Sequence, residues 1–143
     1  MTMAAKQTGH SDETTEGIRV RVGAQFLPDR SDPDDSSYAF VYRVVITNEG
    51  DTPAKLLNRH WIIRDSQGEV EEVRGPGVVG EQPELAPGQS FDYVSGCPLR
   101  TAWGTMEGGF EMERPDGSRF RAVVGRFFLA ETAAPLSAMD VGA

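Results

Sequence analysis

Apolar and polar residues alternate along most of the chain with a period of two, which is the spacing of a β-strand that buries one face. Ile18, Val20 and Val22 alternate with arginines, and six later runs show the same kind of alternation. Glycine, proline, asparagine and aspartate separate the runs, and no window has the 3.6-residue period of an amphipathic helix. The predicted strands are residues 18–22, 40–46, 54–65, 69–74, 90–97, 105–114 and 120–129.

Seven short strands joined by turns, without a helix, predict an all-β fold. Because each strand is half-buried, we expect an antiparallel β-sandwich. Within residues 54–65, Leu57, Trp61 and Ile63 should share one face. The inner faces of the strands supply the predicted core, which holds Val20, Phe40, Tyr42, Val44, Trp61, Phe91, Tyr93, Met106, Phe110 and Phe120.

The two ends of the chain lack this alternation. Residues 1–17 are small, polar and charged, which predicts a disordered N-terminal tail. Residues 131–143 are alanine-rich and contain Pro135, which predicts a flexible C-terminal tail. A single folded domain is therefore expected over residues 18–130, and a length of 143 residues suits one domain with its own core.

The glycine-rich stretch after the fourth predicted strand contains a G-x-G-x-x-G motif at Gly75, Gly77 and Gly80. That motif marks a dinucleotide site where a buried strand precedes it and a helix opens at its last glycine. Here a polar, acidic segment precedes it, and prolines soon after it leave no room for a helix. We predict an ordered loop over residues 75–89, with some glycines at positive φ. The alternative is a loop that binds an anion or a partner.

Charge and cysteine content narrow the class of protein. The chain has 22 acidic and 14 basic side chains, giving a formal net charge of −8. That balance disfavours nucleic acid and anionic membranes as partners, although a local basic pocket remains compatible with it. The single cysteine, Cys97, excludes an intrachain disulfide, and no apolar run is long enough for a secretory signal or a membrane helix. A cytoplasmic protein without membrane insertion is expected.

Five motifs, in order and at characteristic spacing, resemble the ApaG family. They are RHWIIRD, V-x-G-x-G-V-V-G-E-Q-P, L-x-P-G, Y-x-S-G and G-x-M-x-G. The resemblance implies an immunoglobulin- or fibronectin type III-like sandwich of about seven strands. Val94 stands where many family members have threonine, a departure that leaves the expected fold unchanged.

The resemblance implies little chemistry. The family is named for gene neighbourhood with a diadenosine tetraphosphate hydrolase, and it has no established catalytic residues to carry over. Bacterial members are linked to cobalt resistance and magnesium efflux. Related eukaryotic domains are appended to F-box and polymerase-interacting proteins, which implies a binding role.

Catalytic and metal-binding candidates are few. Ser95 and Cys97 are possible nucleophiles and His60 a possible base, but a buried thiol and a structural histidine are the favoured interpretations. Two histidines and one cysteine are too dispersed for a cobalt or zinc site, and the aspartates of residues 29–35 lack the spacing of a calcium loop. We therefore expect no enzyme activity, no cofactor and no resident metal.

Two functional hypotheses remain. The first is a non-enzymatic binding module that engages a protein partner or a small anionic ligand, with a homodimer also possible through exposed sheet edges. The second is a phosphate or nucleotide site, possibly acting on dinucleoside polyphosphates, which requires the arginines to converge near the glycine loop. The candidate residues are Arg59, His60, Arg64, Arg74, Gly75, Gly77, Gly80 and Arg100.

Overall fold

The computed structural model describes residues 9–131, which fold into two antiparallel sheets and contain two short 3₁₀ turns at Pro28–Arg30 and Pro33–Asp35. No helix in this part of the chain is long and apolar enough to cross a membrane. Nine strands make up the sheets. They are β1 His10–Thr15, β2 Ile18–Phe26, β3 Tyr38–Asn48, β4 Ala54–Asp65, β5 Val70–Pro76, β6 Glu84–Leu85, β7 Ser90–Leu99, β8 Trp103–Glu113 and β9 Arg119–Ala130.

The strand order explains how the chain closes a sandwich. The first sheet has the order β1-β2-β3-β7 and the second β5-β4-β8-β9, with β6 pairing separately with β4. Every pairing is antiparallel. The β8–β9 hairpin turns at Asp116, whose carboxylate accepts hydrogen bonds from the backbone N–H and the hydroxyl of Ser118. All seven predicted strands are present, and the predicted sandwich is confirmed.

The core lies between the two sheets and is centred on Trp61. This side chain is 3% exposed and packs edge-on against Tyr42, Phe110 and Phe127, with ring centroids 5.3, 6.0 and 6.1 Å away. Aromatic pairs favour such tilted contacts. Eight of the ten predicted core residues are buried, while Phe91 and Phe120 are partly buried at its margin.

The prediction for Leu57 was wrong. A β-bulge shifts the register of β4 against β8 between Leu56 and Asn58. The bulge adds one residue and reverses the alternation, so Leu56 is fully buried and Leu57 only half-buried. Counting back from Trp61 in steps of two residues places Leu57 inward, because the count cannot include the extra residue of the bulge.

The expectation of a disordered segment up to residue 17 was also wrong where the structure describes it. β1 pairs with β2 from His10↔Gly23 to Thr15↔Ile18, and both strands pack against β9. A polar strand can form here because main-chain hydrogen bonds hold it and most of its side chains remain exposed. The rest of the predicted tails, residues 1–8 and 132–143, lies outside the described residues.

Candidate functional site

The glycine-rich segment forms the predicted ordered loop. Residues 75–89 contain no helix; the segment begins as the end of β5 and includes the short strand β6. Gly77, Gly80 and Gly88 have φ values of 62°, 82° and 87°, which confirms the prediction of left-handed glycines. Without a helix there is no N-terminus to hold a pyrophosphate. The segment therefore lacks the strand–loop–helix geometry of a dinucleotide site.

Two of the motif's glycines are needed for close chain packing. A Cβ on Gly75 would lie about 3.0 Å from the Arg59 guanidinium. A Cβ on Gly77 would clash with the backbone carbonyl of Glu81, where Val78 and Glu81 exchange backbone hydrogen bonds in a tight turn. The G-x-G-x-x-G spelling is thus explained by local geometry.

A groove of about 610 Å³ lies beside this loop and crosses strands β5, β4, β8 and β9 of the second sheet. Because strands β5, β4, β8 and β9 are neighbours, their side chains meet on one surface. We call it the basic groove. It is lined by Asn58, Arg59, His60, Arg74, Gly75, Pro76, Gly109, Glu111, Arg119, Phe120 and Arg121.

One side of the basic groove carries a His–Glu–Arg cluster. The Glu72 carboxylate lies 2.8 Å from His60 Nε2 and 3.1 Å from an Arg74 guanidinium nitrogen. The His60 hydrogen bond and the Arg74 charge lower the pKa of Glu72. Since a carboxylate only accepts, His60 Nε2 carries the proton in this contact. His60 Nδ1 is buried without a hydrogen-bond partner in the described residues.

The other side of the groove is formed by arginines of β9. Gly109 has no side chain, and a Cβ there would lie 2.6 Å from Arg121 Nε, so the Arg121 side chain lies across the sheet at this point. Arg119 is 3.6 Å from Glu111 and 3.4 Å from Glu113. Arg121 makes no ion pair with any described residue, so its charge is available to a ligand.

Arg59 has a different task from the other groove arginines. Its Nη1 donates to the backbone carbonyls of Pro76 and Gly77, at 2.9 and 3.1 Å. Two carbonyl acceptors fix the guanidinium beneath the start of the glycine loop. Arg59 therefore holds the loop in position.

The structure brings together only part of the predicted site. Arg59, His60, Arg74 and Gly75 line the basic groove, whereas Gly77 and Gly80 do not. Arg64 is 3.8 Å from Glu107, away from the groove lining, and Arg100 lines a separate cavity of about 730 Å³. The second hypothesis required all four arginines to converge, but only Arg59 and Arg74 share this groove, because Arg64 and Arg100 lie elsewhere on the fold.

The sequence interpretation missed Arg119 and Arg121. The last predicted strand, residues 120–129, has Phe120 on its inner face, and alternation then places the neighbouring arginines outward. The missing information was the strand register, which sets Arg121 of β9 opposite Glu111 of β8 and Glu111 opposite Asn58 of β4. Pairing between distant strands is required to assemble this half of the groove.

The candidate nucleophiles lie elsewhere. Cys97 is buried and lines a cleft between the sheets, and burial together with the Glu71 charge raises the pKa of its thiol to about 12. At neutral pH it is a thiol rather than a reactive thiolate. Ser95 lines the same cleft, while His60 lines the basic groove. These residues do not form a nucleophile–base pair, and the described residues contain no group of three potential metal ligands.

The comparisons with known proteins agree with this fold. Residues 28–114 match the family model described as the ApaG domain. The chain belongs to the ApaG family. It is 52% identical to Protein ApaG of Aromatoleum aromaticum over 113 residues, which cover 79% of this chain and 89% of that relative. It is 51% identical to Protein ApaG of Agrobacterium fabrum, with 80% and 88% of the two chains covered.

A solved structure has the same fold. The crystal structure described as that of an ApaA protein from Bordetella pertussis matches with a TM-score of 0.79 and 42% identity, covering 90% of this chain and 99% of that chain. The family resemblance of the five motifs is therefore confirmed. The names of these relatives state no reaction, substrate or ligand, so function has to be argued from this chain's own surfaces.

Proposed function

We propose that this ApaG protein is a non-enzymatic binding module whose basic groove takes a small phosphate-bearing anion. The observation that carries the proposal is the lining of the groove. Four arginines and one histidine line the groove and Glu111 is the one lining carboxylate, in a chain whose formal net charge is −8. Glu72 and Glu113 pair with lining side chains from outside the lining. A local reversal of charge favours an anion, and guanidinium groups suit phosphate oxygens.

The charge pattern supports binding more than reaction. Arg121 has no ion-pair partner among the described residues, and Arg74 is well exposed at 69%. Phosphoanhydride hydrolysis usually requires metal-held phosphates or an activated nucleophile. The groove lining offers one histidine and one carboxylate for such work. A dinucleoside polyphosphate could therefore be held in the groove without being cleaved.

The family's link to cobalt resistance and magnesium efflux would be indirect under this proposal. The protein would affect these processes by binding a phosphate compound or a protein partner, without transporting a cation itself. A cytoplasmic location would give the groove access to such phosphates.

Calorimetry with inorganic pyrophosphate tests the groove. We expect saturable binding that weakens as salt is added, because exposed charges are screened. Arg121→Gln and Arg74→Ala should each weaken binding about tenfold, which corresponds to ~1.4 kcal/mol. Arg126→Gln is the matched control, since Arg126 lies on the same strand but pairs with Glu107 outside the groove lining.

Two outcomes would contradict the proposal. Absence of binding heat, or equal affinity in the Arg121 and Arg126 variants, would remove the basic groove as the site. Diadenosine tetraphosphate incubated with and without Mg²⁺ or Co²⁺ tests the non-enzymatic part. Metal-dependent product formation that is lost in His60→Ala would identify an enzyme instead.

A further inference from the structure

A second concave surface lies at the open side of the sandwich, between β5 and β7. β7 is the last strand of the first sheet and β5 the last strand of the second, so neither has a neighbour on its outer edge among the described strands. A cleft of about 410 Å³ lies between them and is lined by residues of both. The opposite side is different, because β9 packs there against β1 and β2.

One wall of this edge cleft has charges at its two ends and apolar residues between them. Alternate residues of a strand are about 7 Å apart, so positions four residues apart are separated by ~13 Å. The β4–β5 register therefore sets Arg59 and Glu71 at opposite ends. Along the wall the paired residues are Arg59 with Gly75, Trp61 with Val73, and Ile63 with Glu71.

The β7 wall shows the same polarity. Pro98 and Leu99, at the C-terminal end of β7, line a neighbouring cavity together with Ile63 and Glu71, so this end of β7 lies at the Glu71 end of the cleft. Tyr93 comes earlier in β7 and lies towards the Arg59 end, where the Arg59 charge partly offsets the burial that raises the pKa of Tyr93. β7 therefore runs from the basic end of the cleft to its acidic end.

Hydrogen-bond donors at the basic end lack an anionic partner. Tyr93 is 7% exposed, and its hydroxyl has no hydrogen-bond partner among the described residues. Arg59 donates to two backbone carbonyls and forms no ion pair within the same part of the chain. Buried polar groups are normally satisfied, so the Tyr93 hydroxyl requires a partner from outside the described residues. The charge of Arg59 favours a carboxylate in that place.

One exposed apolar side chain lies in the lining of the same cleft, since Val79 is 57% exposed. Val70 and Val94 are also exposed and lie on the edge strands β5 and β7, outside the lining. Exposed apolar side chains beside unpaired sheet edges are typical of protein interaction surfaces.

We propose that β7 accepts an extended peptide segment of a partner protein as an added antiparallel strand, whose inward side chains fill the edge cleft. Main-chain hydrogen bonds to the sheet edge supply affinity in this mode, and side-chain pockets supply specificity. An antiparallel peptide runs from the Glu71 end to the Arg59 end. Its inward residues, read from N to C, are therefore basic, apolar and acidic at alternate positions, with the acidic residue meeting Arg59 and Tyr93.

Two peptides of identical composition test the proposal. One is acetyl-Thr-Lys-Thr-Val-Thr-Glu-Thr-amide, and the other is its reverse, acetyl-Thr-Glu-Thr-Val-Thr-Lys-Thr-amide. Titration into ¹⁵N-labelled full-length protein should give at least tenfold tighter binding of the first peptide, with amide shifts at Val94 and Gly96 and a shift of the Trp61 indole. Equal affinity, no binding of either peptide at 2 mM, or shifts confined to the basic groove would overturn it.

Variants of the protein test the charge assignment. Glu71→Lys should invert the preference at the peptide position that faces residue 71. The first peptide with its lysine replaced by glutamate should then bind this variant more tightly than the first peptide itself. Glu69→Lys, on the same hairpin but outside the cleft lining, should keep the original preference. Tyr93→Phe should weaken the first peptide several-fold, and a native-like ¹⁵N spectrum checks that each variant is folded. An unchanged preference in Glu71→Lys would contradict the charge assignment.

N-methylated peptides separate strand addition from side-chain contact alone. Alternate amides of an edge-bound strand face the sheet, so methylation at either the central valine or the following threonine should abolish binding while the other is tolerated. If both methylated peptides bind normally, no strand is added. If self-association of the chain shifts the same amides and no peptide binds, a second copy occupies the cleft and the proposal is wrong.

Discussion

At the scale of single residues, Trp61 connects the core to the edge cleft. It packs against three aromatic rings of both sheets and also lines the cleft beside Val73. Its ring is too large for its neighbours to replace by small movements, since protein interiors are close-packed. Removal of this side chain should therefore lower the stability of the fold, whatever its effect on binding in the cleft.

Trp61→Ala should lower the free energy of unfolding by about 3–5 kcal/mol, because a large buried ring is replaced by a cavity. Urea denaturation followed by circular dichroism measures the change. Trp103→Ala is the control and should lower stability less. Trp103 is 46% exposed and, among the described aromatic rings, contacts only that of Phe128. A Trp61→Ala midpoint equal to that of the unmodified protein would remove Trp61 from the core.

At the scale of elements, β1 and the bulge in β4 are two places where the alternation of apolar and polar residues does not predict the structure. β1 is polar on most positions, and its partner β2 supplies the apolar side chains. The Arg19 guanidinium of β2 bonds the Asp12 carboxylate of β1 at 2.6 and 2.9 Å. The strand is held by its neighbour and needs no hydrophobic pattern of its own.

Deletion of residues 1–15 should reduce stability on the order of 2 kcal/mol, because main-chain hydrogen bonds of about 1 kcal/mol each are lost and β2 becomes an edge. Thermal and urea unfolding of the truncated chain measure this. Asp12→Asn should change stability by less than about 0.5 kcal/mol, since it weakens only an exposed ion pair. A truncated chain as stable as the full one would make this segment a dispensable tail.

At the scale of the whole molecule, charge separates the two concave surfaces. The basic groove opposes the net negative charge of the chain, whereas the edge cleft has one charge of each sign. Glu72 pairs with His60 and Arg74 at the side of the groove, and both Glu72 and Arg74 stay exposed. This difference in charge is the reason why we propose an anion for the groove and a peptide carrying both charges for the cleft.

The protein should lose stability as pH falls. Hydrogen bonds from Arg19, His60 and Ser118 lower the pKa values of Asp12, Glu72 and Asp116 in that order, and burial lowers the pKa of His10. The unfolded chain then binds more protons in acid than the folded chain. Each group contributes its full stabilisation at a pH above its unfolded pKa, which is about 6.5 for histidine and about 4 for the carboxyl groups. As the pH falls below these values, the free energy of unfolding decreases.

Urea midpoints measured between pH 7 and pH 3 check this direction. Asp116→Asn should reduce the loss between pH 4 and pH 3, because it removes one carboxylate that must be protonated. Ser118→Ala should reduce it less, since the Ser118 backbone N–H still donates to Asp116. Constant stability across the range, or a rise towards pH 3, would contradict the assignment.

The sequence by itself determined the sandwich, seven of its strands and most of the core. Alternation reports which side of a strand is buried, and glycine and proline report where the chain turns, so both are local properties. It also determined that residues 75–89 contain no helix, because prolines forbid one. The five motifs determined the ApaG resemblance.

Only the tertiary structure decided which side chains share a surface. The bulge at Leu56 and Asn58 reversed one face of β4, and the β8–β9 register brought Arg121 to His60 while Arg64 and Arg100 lay apart. It also revealed β1 and the open β5–β7 edge. Strand partners and register depend on contacts between residues far apart in sequence, and the alternation of a single strand carries no record of them.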